Sequence, residues 1–206
     1  MKATLLHKIS KEMLYPDLKA LGFCLKRPRY LRSLESGVVH LIDVAKDPHN
    51  AETFGVLCGV DAIQINNDSM TGLGYIKESN RIHLTTNGWN TNSARWPCET
   101  EKEARASLTQ ARHLILDLAI PWLDTHKTLS SVADEINIPA MILLGWMKAK
   151  LYALDGDFDR AYAAIDDYTE WAKQPRRWGT AEHQQEDIEL AAKTRKEIEE
   201  MERKTK

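Results

Sequence analysis

A chain of 206 residues that is 43% hydrophobic and 28% charged has a globular composition, with room for one sizeable core or for a domain and an appendage. Lys and Arg total 28 against 30 Asp and Glu, giving a net charge of −2 and a pI near 6.4; a dedicated nucleic-acid binder is strongly basic, so the balance argues against one. No apolar run approaches the roughly 18 residues that a membrane-spanning helix needs, and MKATLLHKISKEML reads as an amphipathic helix, not as a signal peptide.

The first element is that helix. Leu5, Leu6, Ile9, Met13, Leu14, Leu18 and Leu21 recur at helical spacing. Pro16 is expected to kink or restart it, and Gly22 occupies a C-terminal cap position. Tyr30–Leu34 and VVHLIDVA (residues 38–45) flank Ser36-Gly37 and predict a hairpin. TFGVLCGVDAIQI (residues 53–65) alternates. Phe54, Val56, Cys58, Val60 and Ala62 share one face, and Gly55, Leu57, Gly59, Asp61 and Ile63 the other. Residues 66–80 are turn-rich, and RIHLTTNGW (residues 81–89) predicts a further strand.

After Pro97 the pattern becomes helical. Thr100 with Glu103 fits a capping box. Ala104, Leu108, Ala111, Ile115, Leu118 and Trp122 form an apolar stripe that Pro121 is expected to bend. A short helix starting at Ser130 or Ser131 follows. Two helices joined at Asp155-Gly156-Asp157 come next, within an αα-hairpin over 139–173. The last helix starts near Thr180, with pairs such as Glu189–Lys193 and Glu199–Arg203, and its final turns are expected to fray. Strands followed by helices indicate an α+β fold. The expected architecture is an N-terminal helix, a meander of about four antiparallel strands and packed helices. Residues 1–126 form the sheet domain, and 127–206 form a helical extension packed on it.

The order LKALGF, KRPRYLR, VVHLIDVAKD, TFGVLCGVDAI and IPWLDTHKTL resembles a bacterial family catalogued as domain of unknown function 4304, over roughly residues 5–126. That resemblance implies an α+β domain with one meandering sheet, a basic segment leading into its first strand, and no known reaction. Trp146, Ala149, Tyr152, Gly156-Asp157-Phe158, Ala161 and Ile165 are spaced like one tetratricopeptide-type hairpin. A lone copy reads first as an αα-hairpin, because an array needs about three repeats to bury a continuous core.

No catalytic motif is present. Cys24, Cys58 and Cys98 lack metal-ligand spacing and read as reduced thiols of a cytoplasmic protein; Cys58 reads as a small core residue. The seven histidines show no HxH, HxxxH or HExxH pattern, although His40 and His83 lie on strands and could meet across the sheet. No metal or cofactor is expected.

Three surfaces remain. Asp155, Asp157, Asp159, Asp166, Asp167 and Glu170 gather around one helix. They read as a solvated face or as a docking surface for a basic protein, with Trp89 and Trp96 as candidate anchors or packed residues. Lys26, Arg27, Arg29 and Arg32 read as a hairpin rim, with nucleic-acid binding the lesser reading because only Tyr30 supplies an aromatic platform. His40, Gly55, Leu57, Gly59 and His83 form an alternative ligand face, where missing side chains admit either a ligand or a packed helix.

Residues 1–98 carry 12 Lys and Arg against 9 Asp and Glu, and residues 99–206 carry 16 against 21. A mildly acidic helical half without reactive groups suits a protein that works by binding another protein. The sharper expectation is an immunity-type protein that neutralises a toxin. An enzyme or small-molecule binder is the rival.

Overall fold

The computed structural model describes residues 2–26, 29–47, 50–62, 81–85, 88–90, 95–136, 145–174 and 180–206, with backbone alone for 81–85 and 88–90. The fold is α+β, as the residue pattern predicts. Two compact units form. One comprises the described residues of Met1–Asp61 and Asn80–Lys127, the other those of Ala62–Ser79 and Thr128–Lys206.

Helix α1 (Ala3–Ala20) opens the first unit. Leu6, Ile9, Leu14 and Leu18 are at most 1% exposed, and full burial of such a side chain is worth roughly 1.5–3 kcal/mol. The helix passes through Pro16 without a break. Pro16 and Glu12, whose carbonyl loses its partner there, both lie on the exposed face, and water can satisfy that oxygen. Gly22 ends the helix at φ +86°. Its N–H donates to the Lys19 carbonyl at 3.0 Å and that of Phe23 to the Leu18 carbonyl at 2.9 Å, a Schellman turn that favours glycine.

Seven strands follow among the described residues: β1 (Cys24–Lys26), β2 (Arg29–Ser33), β3 (Val38–Lys46), β4 (Thr53–Ala62), β5 (Arg81–Thr85), β6 (Gly88–Asn90) and β7 (Trp96–Pro97). They lie in the order β1-β2-β3-β4-β5-β6, with β7 also on β4. Ser33 faces Val39 across the predicted hairpin, and Gly37 supplies its φ of +86°. RIHLTTNGW is two strands and not one: Thr85 lies opposite Gly88, which is itself the first residue of β6. β1, β6 and β7 are too short to display a period of two.

Helix α2 (Glu101–Leu114) starts from the predicted box. The Thr100 hydroxyl accepts from the Glu103 N–H at 3.2 Å and the Glu103 carboxylate from the Thr100 N–H at 3.1 Å. Two ion pairs fasten α2 to α1: Arg105 donates to both Glu12 oxygens at 3.2 and 3.0 Å, and Arg112 to Asp17 at 2.6 Å. The hydrogen bond from Arg112 holds the Asp17 carboxyl below its usual range. A π-helical stretch, Ile115–Ala119, leads into α3 (Ile120–Thr125). The Ile120 N–H donates to Ile115, five residues back. The inserted residue resolves the expected bend, because Pro121, which has no N–H, falls in the first turn of a restarted helix.

The second unit contains α4 (Leu129–Glu135), α5 (Gly145–Leu154), α6 (Phe158–Lys173) and α7 (Ala181–Thr205). Thr128, not Ser130 or Ser131, caps α4, in a reciprocal box with Ser131. α5 ends in a second Schellman turn, with Gly156 at φ +83°. Ala149, Tyr152, Ala161 and Ile165 are all buried between the helices of this unit, so α5 and α6 form the expected αα-hairpin; residues 139–144 of its expected range lie outside the described residues. α7 begins at the Thr180 cap and remains helical to Thr205 instead of fraying. Tyr162 donates to Glu202 at 2.8 Å and Arg195 pairs with Asp166, tethering α7 to α6. No helix among the described residues is long and apolar enough to cross a membrane.

Candidate functional site

A broad recess of about 680 Å³ opens in the second unit where the α5–α6 turn meets α4. Asp155, Asp157, Asp159 and Glu202 line it, with Arg160 the one cation among the lining residues. Two of the carboxylates, Asp155 and Asp157, are placed by backbone amides. Asp155 follows the last turn of α5 and accepts from the Ser130 N–H at 3.0 Å, satisfying an amide at the start of α4. Asp157 caps α6, accepting from the Arg160 N–H at 3.2 Å and the Arg160 side chain at 2.6 Å. Those hydrogen bonds hold the Asp157 carboxyl below its usual range. Asp159, in the first turn of α6, is exposed.

Arg160 has further partners. Its guanidinium lies 4.4 Å from the centre of the Tyr152 ring and donates to Asp134 at 3.1 and 3.3 Å. Asp134 also accepts from the Tyr152 hydroxyl at 2.5 Å. Burial, then the bond to Asp134, pushes the Tyr152 phenol up to about 12. With Arg160 committed to Asp157, Asp134 and Tyr152, Asp155 and Asp159 are the exposed carboxylates of the recess, and Glu202, half-buried, pairs with Lys206 at 2.6 Å. Glu202 is held ionised by Lys206 and Tyr162. The recess therefore presents negative charge on rigid helix ends. Among the other predicted acids, Asp166 is paired with Arg195, Glu170 with Lys173 at 2.8 Å, and Asp167 is exposed farther along α6.

Of the two tryptophans read as anchors or packed residues, one is placed by the structure. Trp96 is 1% exposed and stacks on Phe54 at 5.7 Å, so it is a core residue of the first unit and no surface anchor. Trp89 lies opposite Leu84 on β6, and its side chain is outside the described residues.

The basic segment does not converge. Lys26 is opposite Arg29, whereas Arg32, three residues along β2, projects from the other face. Arg29 pairs with Asp43 at 3.1 Å and Arg32 with Asp124 at 2.6 Å, which commits two of the expected phosphate ligands to carboxylates, Arg32 largely buried and Arg29 still half-exposed; Arg27 lies outside the described residues.

The alternative ligand face is divided as well. His40 on β3 and His83 on β5 are separated by β4, about 10 Å at ordinary strand spacing, and so do not meet as sheet neighbours. Leu57 lies opposite His83 and Gly59 opposite Arg81. Gly59 is buried, and Gly55 and Leu57 are half-buried. The His40 ring is instead fully buried against the end of α3: its Nε2 lies 2.7 Å from the His126 carbonyl, and its Nδ1 lies 3.1 and 2.8 Å from two nitrogens of Arg32. Arginine can only donate, so Nδ1 accepts and the proton resides on Nε2. Burial chiefly lowers the His40 pKa to about 4.

Sequence reasoning missed Asp124, His126, Asp134, Tyr152, Arg160 and Glu202. The D-F-D-R run at 157–160 signals the Asp157–Arg160 cap pair, but no local pattern links Arg32 to a carboxylate 92 residues away. No group of three or more His, Cys, Asp or Glu among the described residues is placed to hold a metal ion. Comparison with protein-family models, with curated proteins and with solved structures returns no match to this chain.

Proposed function

We propose that this protein acts by binding another protein through the acidic recess of its helical unit, as a cytoplasmic immunity-type protein that neutralises a toxin. The supporting observation is the recess itself, with four lining carboxylates against the Arg160 guanidinium and the Lys206 ammonium that pairs with Glu202, which leaves an excess of negative charge. Such a surface fits a basic segment: Lys or Arg side chains would find Asp155 and Asp159 exposed, with Asp157 and Glu202 beside them, each already holding a cation. The carboxylates stand on helix ends fixed by caps, so little ordering is lost on docking. Opposite charges across an interface of this kind mainly accelerate association and select the partner.

The test is a pull-down from the native cell with the parent chain and with Asp159→Arg, an exposed substitution that leaves the Asp157 cap intact. The parent is expected to recover a stoichiometric basic protein, with association slowing as salt rises. Asp159→Arg is expected to lose roughly tenfold or more in affinity, about 1.4 kcal/mol. Recovery of no stoichiometric partner, or equal binding by both chains, overturns the reading.

A further inference from the structure

The end of α3 is held in the first unit by a second polar cluster. Three bonds from the β2–β3 hairpin converge on it. Arg32 donates to the Asp124 carboxylate at 2.6 Å, His40 Nε2 to the His126 carbonyl at 2.7 Å, and Ser36 Oγ to the Lys127 carbonyl at 2.7 Å. Arg32 is itself fixed by the Phe23 ring, 4.8 Å away, and by the Leu21 carbonyl at 3.3 Å.

We propose that His40 is an acid-sensitive latch, whose neutral ring holds residues 124–127 against β2 and β3 and whose protonation frees that segment while the sheet stays folded. The titratable and charged groups that act on His40 are Arg32 from β2 and Asp124 and His126 from the end of α3. Nδ1 is the acceptor for two guanidinium N–H groups. A proton placed there removes that acceptor and aims a third donor at the same site, with two cations abutting where His40 is 0% exposed. Asp124 is the sole carboxylate among those groups and cannot neutralise both. Arg32 must withdraw, and it takes with it the Asp124 and Leu21 bonds, so that of the three bonds only those of His40 Nε2–H to the His126 carbonyl and of Ser36 to the Lys127 carbonyl remain to hold the segment.

Opening is local because α3 is short. It ends at His126, whose N–H bonds only three residues back to Leu123 at 3.0 Å. Thr125 and Lys127 on either side of the buried His126 are exposed, and His126 itself is 7% exposed, whereas Ile42 and Val56 on the sheet are 0% exposed. Segments with few buried contacts open below the free energy of global unfolding. Burial and the Arg32 charge hold the His40 pKa down to about 4, so the latch stays shut near neutrality.

Amide hydrogen exchange of the whole chain, followed by NMR from pH 7 to pH 3.5 and corrected for intrinsic rates, tests this. The His126 amide is expected to lose protection by roughly tenfold or more below pH 5, while the amides of Ile42 and Val56 keep theirs. His40→Gln offers an acceptor to Arg32 and a donor to His126 but does not titrate, so its His126 amide should stay protected over the same range. Loss of protection in His40→Gln with the parent's midpoint, or simultaneous loss of the parent's His126 and sheet amides, overturns the latch. If His40→Gln does not fold, the parent's imidazole nitrogen shifts decide. A neutral Nε2–H ring titrating below pH 5 supports the proposal; the other tautomer, or a midpoint near 6.5, refutes it.

Discussion

Gly145 lies directly against Tyr168: a Cβ built at Gly145 would sit 2.9 Å from the Tyr168 Cβ and 3.1 Å from its ring. That contact sets how closely α5 and α6 approach. The Tyr168 Cβ is part of the stem of a residue 1% exposed, so it cannot swing aside as a flexible tip would.

Gly145→Ala should therefore destabilise the helical unit, although alanine is the better helix former. The propensity gain is about 1 kcal/mol, and forcing an extra carbon into a packed interface costs about 1–3 kcal/mol. The expected net is a loss of up to about 2 kcal/mol, read by urea denaturation through amide signals of α5 and α6. Increased stability would show that the two helices separate freely.

Stability of the sheet unit should fall with acid in a defined window. His40 titrates at about 4 in the fold and near 6.5 when unfolded. Below 6.5 the unfolded chain takes up a proton that the folded one refuses. The contribution is thus fully present above pH 6.5 and lost as pH falls towards 4, about 3 kcal/mol in all. Urea titrations at pH 7.5, 6 and 5, followed through β3 amides, should show the parent losing more stability than His40→Gln as pH falls. Parallel pH profiles would contradict the buried neutral ring.

The three cysteines should react in two classes. Cys24 is exposed, while Cys58 and Cys98 are 0% exposed, and burial raises both of the latter thiols. A thiol reagent should label Cys24 within minutes and the other two only as the chain unfolds, since thiolate and access are both needed. Mass spectrometry after short labelling at pH 8 measures this. Rapid modification of Cys58 would place β4 nearer the surface.

Local signals proved the legible ones. Thr100 and Glu103 satisfy each other within one helical turn, and Gly22 and Gly156 take left-handed backbone where a cap requires it; three or four neighbouring residues decide each. The alternation of Phe54, Val56 and Cys58 likewise marks the buried face of β4. Arg32 could not be read this way. Its basic neighbours suggested a surface patch, but its place is set by Asp124, on a helix that enters the sequence some 92 positions later. Trp96 was obscured for a related reason: two residues of strand carry no period, so nothing announced that Phe54 would cover its ring. The acidic group was visible as composition, yet which acids border a recess depends on how α4 meets the α5–α6 turn, and that contact leaves no mark in spacing.

The π turn at Ile115–Ala119 has one more consequence, for inheritance of change along this chain. An extra residue in a helical turn rotates everything beyond it by about 100°. The directions in which Asp124 and His126 point are thus tied to that single insertion, five to ten residues upstream and without any polar contact of its own to them. Deleting one residue there would restore regular helix and swing both side chains away from the hairpin, disconnecting Arg32 and His40 without altering either.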